Sequence, residues 1–368
     1  MKVLFAIKKF GGIAGGAEKV LSIVSSDLSE RGHEVIILSF DNDNKQPFFP
    51  TGEKVKLINI DIYNKFLSNK YFLFFRRILA LRKKILEIKP DIVVGFMHSI
   101  YILLSLSLFG SKINLIASEH TVSKYYKKRK FEYLLINISS FFIKKFTVVS
   151  SDIKKNFSFF VRRKMYVIPN PIESKITLNS VQSKSKNIIL SIGRLTVDKD
   201  HETLIKAFNL LKDEFNNWNL NIVGKGFLRL DLEKIINNLN MSKRVFIFDV
   251  TPDIEDFYKE ADLFVMPSKY EAFGLVVAEA MRYKLPVIGF SNCLGINNLI
   301  VHNKTGLLID SGSNRVKDLS KGMKKLISNK KYREKLGSAG QKKINSYYSR
   351  EHIINLWENL LMENKINR

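Results

Sequence analysis

With 368 residues, 45% hydrophobic and 26% charged, the chain has material for two ordinary globular cores and is too apolar to be disordered along its length. Its 60 Lys and Arg against 35 Asp and Glu leave a net charge of +25. That field attracts nucleic acid, anionic lipid or phosphorylated small molecules, unless it only reflects a lysine-rich composition. A single cysteine, Cys293, excludes an internal disulfide and a thiolate metal cluster and fits a reducing compartment.

Taken in chain order, residues 3–7 open the chain as a short apolar run. Lys8 and Lys9 interrupt it and no small-residue cleavage site follows, so a buried parallel strand explains it better than a signal peptide. Residues 34–40, 91–96, 113–118 and 146–150 also read as strands. Between them, residues 18–31, 72–88 and 151–160 have helical spacing. The longest apolar stretch, residues 100–109, falls short of the roughly 20 residues that a bilayer span needs. This βαβ rhythm predicts a parallel, doubly wound sheet.

Pro169-Asn170-Pro171 then stops the last strand, and the Ser- and Lys-rich residues 178–186 read as a linker. A second series of strands follows at 187–192, 219–223, 244–248, 262–266, 286–289 and 306–309. Two or three helices follow from residue 313. The expected domains are 1–178 and 179–346, with a last helix over 347–368. In open α/β sheets ligands lie beyond the carboxyl ends of the strands, so a cleft between two such domains is the expected site.

Four places at expected strand ends carry candidate chemistry. Pro267-Ser268-Lys269-Tyr270-Glu271-Ala272-Phe273-Gly274-Leu275, followed by Glu279, spans a strand–loop–helix junction. The helix is expected to begin near Leu275, leaving the N–H groups around Phe273, Gly274 and Leu275 free for an anion. Two carboxylates beside an anion site make sense if they bind hydroxyls, as of a sugar and a ribose. The same glutamates also suit a helix start for its macrodipole alone. Gly193 ends a strand before Arg194 and Lys199, a guanidinium fork and a point charge fit for a diphosphate, or two surface cations of a basic chain. The loop Gly11-Gly12-Ile13-Ala14-Gly15-Gly16-Ala17-Glu18 follows the first strand. It matches neither G-x-G-x-x-G nor a P-loop, and is either a close backbone approach to a ligand or a turn. Ser118-Glu119-His120-Thr121 places a histidine at another strand end, as a proton-transfer group or a structural one.

Together these places resemble, over almost the whole chain, glycosyltransferases of family 4 (glycosyl transferases group 1) with the GT-B fold. The carrying motifs are Glu271…Glu279 in E-x7-E spacing, Pro267-Ser268, Leu285-Pro286-Val287-Ile288, Gly193-Arg194-Leu195…Lys199, Val223-Gly224-Lys225-Gly226, Gly15-Gly16 and His120, in order. The resemblance implies an α/β chain of two Rossmann-like, doubly wound domains: an acceptor-binding N-terminal one and a nucleotide-sugar-binding C-terminal one. The final helix, near residues 349–363, resembles the segment that crosses back to the N-terminal domain, and domain closure over the donor is expected. It further implies that Arg194 and Lys199 hold the diphosphate with Gly16, in the region of Gly224, and that Glu279 binds the ribose. Glu271 and His120 are expected at the reacting sugar, with the amides of Phe273, Gly274 and Leu275 near sugar or phosphate. Asp249, Lys284 and Asn298 depart from the family pattern at positions that bear on base and sugar contacts.

The implied reaction is transfer of a hexose or N-acetylhexosamine from a nucleotide-sugar, UDP-linked, with anomeric retention. No cofactor is required beyond the donor, and no metal, because cations and helix N-termini can carry the leaving charge. Asp41-Asn42-Asp43 has a D-x-D form but reads as a solvated loop. Residues 120–164 hold 12 basic and 2 acidic side chains, and 64–89 hold 8 and 1, both interleaved with aromatic residues. Such segments suit an anionic membrane surface, or helices with solvated lysines. The Gly-Gly-Ala-Glu-Lys and Ser-Glu-His-Thr forms resemble bacterial enzymes that extend lipid-diphosphate-linked glycans. The expectation is a polyprenyl-diphosphate-linked glycan acceptor in surface-polysaccharide or glycoconjugate assembly. The chain is expected to be cytoplasmic, peripheral on the inner face of the plasma membrane. A soluble-acceptor transferase, a sugar phosphorylase and an epimerase share the architecture. Nucleic-acid binding is the remaining alternative for so basic a chain, but no recognition module appears.

Overall fold

The computed structural model describes residues 1–41, 46–60, 70–122, 125–126, 129–172, 186–251 and 253–365. The chain divides into two compact units, one of Met1–Pro171 with Arg350–Arg368, the other of Ile172–Ser349. The expected boundary between 178 and 179 and most of the expected linker lie outside the described residues.

The first unit runs β1 (Lys2–Ile7), α1 (Gly16–Glu30), β2 (Glu34–Ser39), β3 (Lys56–Asn59), α2 (Lys70–Ile88), β4 (Ile92–Phe96) and α3 (His98–Ser107). It continues with β5 (Leu115–Glu119), α4 (Lys130–Ser139), β6 (Lys145–Val148), α5 (Ser151–Lys155), α6 (Phe159–Arg162) and β7 (Met165–Val167). All strands are parallel, in the order β3-β2-β1-β4-β5-β6-β7. Central strands covered on both faces need continuous apolar runs, and β1 and β4 supply them, with Val3–Ile7 and Ile92–Phe96 buried. The 100–109 stretch is largely helix α3, apolar nearly all round because Ile100–Leu104 are buried.

The second unit runs β8 (Ile188–Ile192), α7 (His201–Asn209), β9 (Asn219–Val223), α8 (Arg229–Asn238), β10 (Val245–Phe248), α9 (Ile254–Glu260) and β11 (Leu263–Met266). It continues with α10 (Leu275–Arg282), β12 (Val287–Phe290), α11 (Leu294–Asn297), β13 (Leu307–Ile309), α12 (Arg315–Ile327) and α13 (Lys330–Tyr347). Its parallel sheet is ordered β10-β9-β8-β11-β12-β13, around a core that includes Leu204, Phe208, Ile222, Val265, Phe290 and Met323. Helix α14 (Arg350–Glu363) belongs to the first unit. There Arg350 grips Asp27 through Nε and Nη2 at 2.7 and 2.5 Å, and Trp357 stacks on Phe96 with centroids 5.9 Å apart.

Each sheet reverses its winding once, between β1 and β4 and between β8 and β11. The loops leaving those strands are therefore the natural ligand positions.

Three details differ from expectation. Residues 151–160 are not one helix: α5 stops at Lys155 and α6 starts at Phe159, because Phe157 turns into the core and is buried. Strand β3 was not expected, and β7 is the strand that Pro169-Asn170-Pro171 was expected to stop; both are short edge strands, and edge residues such as Lys56 and Tyr166 break the apolar alternation. The Asp41 segment is not simply a solvated loop. Asp41 is buried, and its Oδ2 accepts the N–H groups of Phe10 and Gly11 at 2.6 and 2.9 Å and the Ser39 hydroxyl at 2.8 Å. Asn42 and Asp43 lie outside the described residues.

Candidate active site

In the second unit the loops leaving β8 and β11 bring two of the expected residues together. Lys199 Nζ is paired with Glu271 Oε1, and the buried Ser268 hydroxyl donates to the same oxygen at 2.9 Å. Both charged side chains are mostly buried, at 14% and 12% exposure, so the contact is little screened by solvent. Arg194 is placed differently. Its side chain is 69% exposed, with Asp198 Oδ2 at 3.6 Å, so the guanidinium stands in solvent beside the loop.

Gly274 is the N-cap of α10, with φ +82°, the left-handed region that favours glycine. The helix begins at Leu275, and no bond from the amides of Phe273 or Gly274 forms among the described residues. With the first N–H of the helix, they leave a patch of free donors next to Glu271. Phe273 is buried, edge-on to Tyr348. Further along α10, Glu279 Oε2 accepts the Tyr258 hydroxyl at 2.7 Å, and Tyr258 stacks on Tyr283 with centroids 5.3 Å apart. Burial and the Glu279 charge push the Tyr258 phenol well up, so it stays protonated as a donor. Gly224 follows β9. A Cβ there would lie 1.9 Å from the Gly193 carbonyl, so only glycine lets the two loops approach.

Several residues at this site carried no sequence signal. Arg315, at the start of α12, donates to Asp200 and to the Pro267 carbonyl at 3.2 and 2.8 Å and lies 3.7 Å over the Phe290 ring. It thereby ties the Lys199 loop to the Glu271 loop. His201 is buried beneath that loop, and burial pushes its pKa down to about 4. Cys293 is buried at the N-cap of α11, its thiol pushed up to about 12 by burial, with the Glu271 charge a further cause. Tyr258 could have been suspected only from a helix facing α10.

In the first unit, Gly16 opens α1 and the preceding glycine loop is held from below by Asp41. A cavity of about 370 Å³ lies at the reversal between β1 and β4, lined by Lys8, Lys9, Glu18, Phe96, Met97 and Ser99. Met97, the N-cap of α3, has φ +72°, a strained conformation for a residue with a Cβ. His120 leaves β5 with its Nε2 2.9 Å from the Ser118 hydroxyl and its ring stacked on Phe96 at 5.1 Å. Burial pushes its pKa down to about 4, so the imidazole is neutral at neutral pH. Beneath it the buried Glu119 accepts the hydroxyls of Tyr101 and Tyr126, at 2.6 and 3.0 Å, and the Thr121 N–H at 2.8 Å.

Residues 14–175 match the family described as Glycosyltransferase Family 4, and residues 175–343 match Glycosyl transferases group 1. An uncharacterized glycosyltransferase of Haemophilus influenzae is 26% identical, covering 98% of this chain and 99% of its own length. The Campylobacter jejuni GalNAc-alpha-(1->4)-GalNAc-alpha-(1->3)-diNAcBac-PP-undecaprenol alpha-1,4-N-acetyl-D-galactosaminyltransferase is 27% identical, covering 99% of each chain. Among solved structures, HepE of Anabaena in complex with UDP and glucose superposes with a TM-score of 0.79 at 17% identity, covering 98% of this chain and 99% of that one.

Proposed function

This chain belongs to the glycosyltransferases, with a Family 4 domain followed by a group 1 domain in the GT-B fold, and from that premise we propose that it transfers a sugar from a UDP-sugar to a lipid-diphosphate-linked glycan. The sugar is a hexose or N-acetylhexosamine, and the setting is surface-polysaccharide or glycoconjugate assembly on the inner face of the plasma membrane. The UDP-bound structural relative supports the donor class, and the undecaprenol-linked acceptor in the Campylobacter jejuni name supports the acceptor class. The same name describes an alpha linkage, which is retention when the donor is an alpha-linked UDP-sugar.

The observation that carries the reading is the Lys199–Glu271–Ser268 group beside the free amides that open α10. A diphosphate leaving an anomeric carbon develops negative charge, and preorganised amides and a desolvated cation stabilise that charge where it forms. Lys199 and the exposed Arg194 are assigned to the diphosphate. Glu271, an acceptor of hydrogen bonds only, is assigned to hydroxyls of the transferred sugar, and Glu279 to the ribose. His120, neutral at neutral pH, is assigned to the acceptor side as a hydrogen-bonding group. These cations and amides carry the leaving charge without a metal ion.

The test is a transfer assay with a panel of UDP-sugars and a short-chain polyprenyl-diphosphate-linked glycan, run with and without EDTA. Turnover is expected with one or a few donors, unchanged by EDTA. Glu271→Ala is expected to lose turnover by at least about a hundredfold while UDP binding by calorimetry stays within about threefold. Near-wild-type turnover of a folded Glu271→Ala variant overturns the site assignment, and loss in EDTA restored by manganese overturns metal independence.

A further inference from the structure

Helix α4 of the first unit carries an apolar stripe that faces solvent. Phe131, Leu134, Ile138 and Phe141, at helical spacing across α4 and the turn after it, are 71%, 53%, 46% and 71% exposed. The stripe broadens at its end, where the exposed Phe142 meets Phe109 with centroids 5.5 Å apart and Phe141 meets Phe160 at 6.3 Å. Scattered exposed apolar residues need no explanation, but a connected ridge of this kind marks an interaction surface.

The hollow at the end of the ridge carries charge of one sign. It measures about 600 Å³, lies next to Phe109, Phe141 and Phe142, and is lined by Lys112, Lys144, Lys145, Arg163 and Lys164 and by no acidic residue. Lys164 donates to the carbonyls of Ser140 and Ile143 and is held below its ordinary pKa by burial and by its cationic neighbours Arg163, Lys144 and Lys145. A phosphate placed among these cations would relieve their mutual repulsion. No helix of the described residues is long and apolar enough to cross a membrane, so any insertion here is shallow.

We propose that this ridge is the face on which the protein lies on an anionic phospholipid bilayer, with the phenylalanine rings at headgroup depth and the lysine-lined hollow receiving a lipid phosphate. Three arguments favour a bilayer over another occupant. A second copy would bring one cationic hollow against another. A helix face of projecting rings needs no matching concave partner when the partner is fluid. Shallow aromatic insertion plus basic flanks is also the physical recipe for interfacial binding, in which apolar burial and attraction to anionic lipid add. Helix α4 starts just after Tyr126, whose hydroxyl bonds Glu119 and His98, so the stripe runs from the His120 end of the unit. The proposal rests on the reading of a lipid-linked acceptor and names the surface that would present it.

The experiment uses the full chain with phosphatidylglycerol-rich and pure phosphatidylcholine vesicles. The wild type is expected to co-sediment with the anionic vesicles and much less with the neutral ones. The Phe131→Ser/Phe141→Ser double variant is expected to bind about tenfold more weakly or worse, because two rings leave the interface. Because the chain has two tryptophans, Trp218 and Trp357, both buried, Phe141→Trp adds an exposed reporter. Its emission is expected to shift to the blue on anionic vesicles and to be quenched by brominated lipid. Wild-type-level binding of the double variant, an unshifted Phe141→Trp in the vesicle pellet, or a ridge-dependent dimer without vesicle binding overturns the proposal. Sugar transfer to a short-chain acceptor in detergent, measured in the same preparations, does not depend on the ridge. Its loss in the wild type counts against the transferase reading, whereas loss of vesicle binding alone counts only against the surface.

Discussion

Lys199 and Arg194 leave the same strand end and answer to different physics. Lys199 shares a nearly buried contact with Glu271, so Lys199→Ala strands a carboxylate in a poorly solvated place. The variant is expected to lose about 2–4 kcal/mol of stability as well as donor affinity. Arg194 stands in solvent, so Arg194→Ala is expected to leave stability within about 0.5 kcal/mol and weaken only the binding of UDP. Thermal melts and UDP calorimetry on both variants separate the cases; equal destabilisation by the two replacements would show that the pair is not the difference. The same reasoning explains why Glu279 needs Tyr258. A carboxylate well along a helix has many rotamers, and the phenol 2.7 Å away selects one.

At the scale of the element, the glycine loop after β1 is the clearest case of a segment shaped by something outside itself. Glycine frees the backbone, and freedom alone gives no fixed loop. The Asp41 carboxylate, at the end of the neighbouring strand β2, accepts two loop amides and fixes their direction. Asp41→Ala leaves two buried N–H groups and the Ser39 hydroxyl without that acceptor. It is expected to cost about 2–3 kcal/mol in urea unfolding, with little change in the slope. A variant as stable as the wild type would mean that water takes over the role of the carboxylate.

At the scale of the whole molecule, two buried imidazoles set an acid limit on stability. His201 has a pKa of about 4 against an ordinary 6.5, and so has His120. Between those pH values the unfolded chain binds protons that the folded chain refuses. Stability is therefore full above about 6.5 and falls as the pH drops toward 4. The buried His201 alone accounts for a fall on the order of 3 kcal/mol across the window. His201→Asn is expected to flatten the pH dependence of the urea midpoint between those limits; an unchanged slope would assign the effect to other groups. The large net charge adds self-repulsion, which salt should relieve.

The pattern along the chain determined a good deal without help. Buried parallel strands need unbroken apolar runs, so the central strands and the alternation with helices could be read directly. So could the start of α10 at Leu275, because a glycine before an amphipathic run is a local signal. Glu271, Lys199, Gly224 and His120 were visible as residue types at strand ends, and Glu279 by its spacing from Glu271. Their partners were not. Lys199 meets Glu271 across 72 positions of sequence, Arg315 reaches Asp200 across 115, and Arg350 of α14 finds Asp27 across 323. Only the family resemblance pointed residues 349–363 back to the first unit; the contacts that hold them there, the ion pair to Asp27 and the stack of Trp357 on Phe96, had no signal in the chain. The edge strand β3, the break between α5 and α6 and the burial of Asp41 likewise depended on neighbours. Periodicity reports only whether a side chain faces a core. Which group waits there is decided when the chain closes on itself, because hydrogen bonds and ion pairs act over a few ångströms of space whatever the distance along the chain.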